Sequence, residues 1–241
     1  MEDLYFSRLP LALQNIVLEI EAAASFDVTV KICPWRDKTD SQESQPLRCV
    51  VDETEARILI PSLDQFRPSS VLHELLHLRR FLIQCVPQIN VCERFWTLEA
   101  EAFFAELDNS LEHFLIIPEE IRWYPERLAQ WITKMNRNLD KVETGSGDAD
   151  DREFDAVYSL ALIEHAIPDN NLKSRSRALL SRLSLMDRAI SFRNAIIPTL
   201  SDKEAATAVF VEHFSLDREM ICLKYLDPIN RTHELKKLMQ A

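Results

Sequence analysis

Pro68-Ser69-Ser70-Val71-Leu72-His73-Glu74-Leu75-Leu76-His77-Leu78-Arg79-Arg80-Phe81-Leu82 is the stretch on which the fold turns. Ser69 or Ser70 can supply an N-cap oxygen, Val71 to Gln84 carry the 3.6-residue apolar period, and Pro87 ends the run, so the spacing predicts a helix. His73, Glu74 and His77 interrupt an otherwise strongly apolar segment, and polar groups on an apolar face need a chemical reason. Two histidines four residues apart share one helix face, one turn apart. Both ring nitrogens can then reach a single Zn2+ at ~2.0–2.1 Å. Glu74, directly after the first histidine, is placed to act on a metal-activated water as a general base rather than as a ligand. The plain alternative is an amphipathic helix with two surface histidines and an ion-pairing glutamate.

Upstream, residues 8–24 have helical spacing at Leu13, Ile16, Val17 and Ile20. Phe26 to Ile32 alternates and is β-branched, and Arg48-Cys-Val-Val51 and Ala56 to Pro61 read as two more strands joined by Asp52-Glu-Thr-Glu55. The polar stretch 37–46 reads as a loop. Downstream, Asn90 to Glu93 has capping-box spacing, and a long helix is expected to about Leu115, ending before Pro118. Beyond Pro118 only helices are expected, near 153–166, 172–196, 202–214 and 216–225, with a short one to the C-terminus. The stretch 143–151, which holds both glycines of the chain, is expected to be a flexible loop.

Composition narrows the function. The net charge of −11 argues against nucleic acid or an anionic membrane surface as partner. Two glycines exclude a Walker A loop or a dinucleotide fingerprint. No N-terminal signal and no ~20-residue apolar span is visible, which predicts a cytoplasmic protein. Cys33, Cys49, Cys85, Cys92 and Cys222 are odd in number, scattered and without a CxxC pair, so reduced, buried thiols are expected.

The residues His73, Glu74 and His77 meet the HExxH signature, and the chain here resembles the zincin metallopeptidases. The order helix, small sheet, HExxH helix, second helix is similar to a zincin core over about residues 8–120. The metzincin extension is absent, since Arg80 and Ile83 stand at its later Gly and His positions. The third ligand is therefore expected on the second helix. At 100° per residue, Glu101, Asp108 and Glu112 fall within about 40° of one another beside the apolar face of Phe104, Leu107, Leu111 and Leu115, and a cation would explain such a stripe. A tight antiparallel hairpin would bring Glu101 level with His77. The segment Leu107 to Pro118 loosely resembles the one preceding the proline in the ImmA/IrrE peptidase family, whose ligand position lands near Asp108, although Leu107-Asp108-Asn109 stands in place of that family's Glu-Ala-Asn. Glutamate is the commoner third ligand in zincins, which favours Glu112. Asp108 is the second candidate, as a ligand or as a group orienting a ligand histidine, and Glu101 the third. His113 and Asn109 form a flanking pair, either of which could donate to an oxyanion. Tyr124, Tyr158 and His165 are further donors, and Trp96, Trp123 and Trp131 read as core or interhelical residues.

The expectation is an α+β, mainly α chain: a zincin-like core over 1–120, followed by an all-helical C-terminal half over 121–241. The expected activity is that of a zinc metallopeptidase acting on a peptide or protein, with His73 and His77 as metal ligands and Glu74 as general base. The rival expectation is a regulatory or interaction protein that holds zinc without proteolysis.

Overall fold

The computed structural model describes residues 1–33, 47–145 and 149–238. In chain order the described residues form α1 (Asp3–Phe6), α2 (Leu11–Ala24), β1 (Val28–Ile32), β2 (Arg48–Val51), β3 (Ala56–Ile60), α3 (Pro68–Leu82), β4 (Gln88–Val91), α4 (Leu98–Trp123), α5 (Arg127–Thr144), α6 (Ala149–Ala166), α7 (Asn170–Arg182), α8 (Met186–Ile196), α9 (Lys203–His213), β5 (Ile221–Asp227) and β6 (Thr232–Lys237). The fold class is α+β and mainly helical, with two three-stranded sheets, ordered β1-β3-β2 and β4-β5-β6. The chain divides into two compact units, Met1–Gln88 with Leu223–Lys236, and Ile89–Cys222 with the stretch from Lys237 onward. Sequence reasoning drew its division near 120, where α4 runs unbroken. The expected loop at 37–46 lies outside the described residues. Among the described residues no helix is long and apolar enough to cross a membrane.

In the first unit β1 runs parallel to β3, from Val28 opposite Ala56 to Ile32 opposite Ile60. β2 pairs antiparallel on the other side of β3. The strands form where alternation predicts them: Ala56, Ile58 and Ile60 are buried, while Arg57 and Leu59 are half-buried. The β2–β3 turn manages without glycine, because Asp52 Oδ1 accepts from the Thr54 and Glu55 backbone N–H groups at 2.7 and 2.9 Å. Helices α2 and α3 pack together, and α3 also packs on β2 and β3. Leu13, Val17 and Ile20 of α2 and Leu72, Leu75 and Leu78 of α3 are fully buried there. Pro68 occupies the first turn of α3 with Arg67 at the N-cap, so the helix starts earlier than a serine cap implied.

The second unit departs further from the sequence pattern. Residues 88–91 are a strand, not a helix start, because Ile89 and Val91 alternate into the interior. Thr97 then caps α4, its hydroxyl accepting from the Ala100 N–H at 3.1 Å. Helix α4 does not stop before Pro118 but runs to Trp123. A proline within a helix leaves the carbonyl four residues back without its usual donor, here that of Phe114. The ring of His165, on α6, lies against Phe114 at that turn, with centroids 5.9 Å apart. Burial lowers the His165 pKa, and its interaction with the Phe114 backbone works against the shift. Tyr158, also on α6, donates to the Ser110 carbonyl at 3.0 Å. Phe154, Phe192, Phe210 and Phe214 cluster where α6, α8 and α9 meet.

Three further expectations are corrected. The helix expected over 172–196 is broken into α7 and α8 by Ser184, whose φ of 59° is left-handed. The stretch 143–151 is helical at both ends, since α5 reaches Thr144, Gly145 closes it with φ 74° and α6 begins at Ala149, while residues 146–148 of the expected loop lie outside the described residues. The C-terminal helices are absent among the described residues, replaced by β5 and β6, since Ile221 to Leu226 is apolar and buried on a strand.

The cysteines are also not all thiols. Cys92 and Cys222 form a disulfide, while Cys33, Cys49 and Cys85 are not disulfide-bonded. The bond closes a span of 130 residues that a sequence count cannot pair. Thiol titration of the unfolded protein should find three reactive cysteines before reduction and five after, and reduction should lower stability by about 2–4 kcal/mol in denaturant titrations. Five thiols without reductant would contradict the bond.

Candidate metal centre

Helix α3 brings the motif's two histidines together. The rings of His73 and His77 meet edge to face with centroids 5.0 Å apart, and the ring of His77 stacks on Phe81 one turn further on at 6.3 Å. The apolar positions that bury α3 draw His77 and Glu74 inward with them, to 4% and 6% exposure, while His73 is half-buried. Two ligands one turn apart on a buried helix have few rotamers left, which preorganises them.

One ring nitrogen of His73 and one of His77 lie within 4.8 Å of each other. Two imidazoles so close can share one metal ion. Imidazole suits Zn2+, Cu2+, Fe2+ and Ni2+ alike, so the pair does not name the metal.

The carboxylates expected to complete the site are engaged elsewhere. Glu112 Oε1 accepts from Lys203 Nζ at 2.6 Å, and Asp108 Oδ1 lies 2.9 Å from the same nitrogen. Lys203 also reaches the Asp108 backbone carbonyl at 3.3 Å, and Asp108 Oδ1 accepts from the Ile89 N–H at 2.8 Å. All three side chains are buried. The acidic stripe on α4 does hold a cation, but that cation is the ammonium of the first residue of α9. Burial pushes the Asp108 carboxyl above the usual carboxylate range; Lys203 opposes the shift and the neighbouring Glu112 adds to it. Burial works to lower the Lys203 pKa, but the two carboxylates prevail and hold it above the ordinary lysine value. Glu101 is exposed in the first turn of α4, remote from any such burial.

The remaining candidates separate as well. His113 is buried and Asn109 exposed, so the flanking pair does not act together. Tyr158 donates to a backbone carbonyl of α4, and His165 lies against Phe114. Trp131 is buried and meets His113, whereas Trp96 and Trp123 are exposed.

No protein family, curated protein or solved structure matches this chain.

Proposed function

We propose that the chain is a zinc-dependent hydrolase of the HExxH kind, a metallopeptidase built on a zincin-like core, with His73 and His77 as ligands and Glu74 as the general base. The observation that carries this reading is Glu74: a buried carboxylate directly following the first of two histidines that share a helix face. A site that only held metal for structure would need no base beside it, and would close its fourth position with a protein ligand. When bound, zinc would supply a Lewis acid and an acidified water. The Glu74 carboxylate takes the proton at the moment of attack on a peptide carbonyl and returns it to the departing amine. His73 and His77 hold their rings at a fixed separation, so little reorganisation accompanies the reaction. The substrate class is peptide or protein, and the acidic surface disfavours nucleic acid.

Elemental analysis tests the metal half of this reading. The purified protein should carry about one zinc per chain. His73→Ala and His77→Ala should each lose it, and Glu112→Ala should retain it. Zinc retained in full by both His73→Ala and His77→Ala would remove the site, and zinc lost from Glu112→Ala would return the third position to the carboxylate.

A further inference from the structure

Glu164, on α6, stands between two guanidinium groups in the second unit. Its Oε1 accepts from Arg177 Nε, on α7, at 2.6 Å, and its Oε2 is ion-paired with Arg193, on α8. The Glu164 side chain is 9% exposed. Burial works to raise its pKa, but the two guanidiniums prevail and hold it below the ordinary glutamate value. The group therefore carries a net positive charge where α6, α7 and α8 meet, in a chain whose net charge is −11. Beside it lies an open cavity of about 480 Å³, lined by Glu164 and His165 from the end of α6, Arg193 and Asn194 from the end of α8, and Ile197 and Pro198 just after it. Small-ligand pockets are of this size. Of the five N–H donors of a guanidinium, Arg193 spends one on Glu164 and two on Asn194 Oδ1, at 2.8 and 3.3 Å. The others stay available on a side chain that is 30% exposed. Ion pairs that served only to stitch three helices together would need neither spare donors nor a cavity.

We propose that this cavity binds a small monocarboxylate with an apolar chain, the carboxylate on the Arg193 guanidinium and the chain against Ile197 and Pro198. A guanidinium fork matches carboxylate geometry, and such charge-assisted hydrogen bonds are the strong ones. Seated on Glu164, the Arg193 guanidinium is held in place before the ligand arrives, so little ordering remains to be done on binding. The net positive charge of the group suits a monoanion, whereas a phosphate dianion would set surplus negative charge beside Glu164. An ammonium would have to compete with two guanidiniums already on that carboxylate. The site uses no residue of the HExxH motif and does not depend on the zinc reading.

NMR titration of the full chain with hexanoate, hexylammonium and inorganic phosphate, following backbone amides and arginine Nε–H groups, tests this. Hexanoate should give saturable shifts at Arg193, Asn194 and Ile197, with half-saturation near ~1 mM, the order expected for so small a ligand. Hexylammonium and phosphate should give none at the same concentrations. Arg193→Met should weaken hexanoate binding ~10–100-fold, since it removes charge-assisted hydrogen bonds. Arg193→Lys keeps a cation on Glu164 but loses the fork, and should weaken it about tenfold. That variant decides the matter should Arg193→Met fail to fold. Wild-type affinity in either folded variant overturns the proposal. So do hexanoate shifts that are absent, do not saturate or centre elsewhere. A saturable response to hexylammonium overturns it by assigning the cavity to Glu164, and phosphate binding as tight as hexanoate overturns the choice of a monocarboxylate. None of these results bears on zinc retention by His73 and His77, so the two readings fail separately.

Discussion

Glu74→Gln should bind zinc like the wild type and lose hydrolysis by roughly 10²–10⁴-fold, the worth of a positioned acid–base group. The substitution preserves side-chain size at a buried position of α3, and glutamine and glutamate have similar helix propensities, so packing and melting behaviour should change little. What it removes is the carboxylate's ability to hold a proton between attack and departure of the amine. The measurement is N-terminal profiling of a broad peptide library or a cell lysate, comparing wild type, chelator-treated wild type and Glu74→Gln. Cleavages present only in the untreated wild type are the expected result. Cleavage undiminished in Glu74→Gln would sink the mechanism, since with His73 and His77 as the proposed ligands no other base is left in the motif. A folded, zinc-loaded wild type that cleaves nothing in a Glu74-dependent manner would favour the non-proteolytic zinc protein.

Lys203→Met should destabilise the fold by about 3–5 kcal/mol, because it strips the cation from two buried carboxylates while keeping most of the side chain's volume. The deficit relative to wild type should depend on pH. Asp108 already titrates above its ordinary 3.8 with Lys203 present, and Lys203 is a group that lowers it, so the variant's Asp108 should be raised further. A folded-state pKa above the unfolded one contributes stability below the unfolded value and loses it as pH rises through the folded value. The deficit should therefore be smallest in acid, near pH 4, and widen toward neutrality. Urea titrations of both proteins across that range would read it. A variant as stable as wild type at pH 7 would mean that the ion cluster contributes nothing, and would reopen Asp108 and Glu112 as metal ligands.

The contrast between α3 and α4 explains how much of the site was legible in sequence. On α3 the whole candidate pattern lies within five residues, and the i, i+4 geometry of a helix places His73 and His77 side by side without help from the rest of the chain. On α4 the acidic stripe calls for a cation, but local spacing cannot say which cation. Lys203 is 91 residues from Glu112, and only the packing of α9 brings it there. The same limit applies to Pro118, where local rules end a helix that runs on to Trp123.

By itself the sequence determined the elements whose signal is local: the three strands of the first sheet, helices α2 and α3, the HExxH pairing, and the mainly helical α+β class. These follow from periodicity, β-branching and caps, which act over a few residues. The tertiary structure alone decided the strand identity of β4, β5 and β6, the Cys92–Cys222 bond and the occupant of the acidic stripe. Each of these depends on a partner tens to hundreds of residues away, where hydrogen bonding, charge pairing and burial outweigh intrinsic propensity.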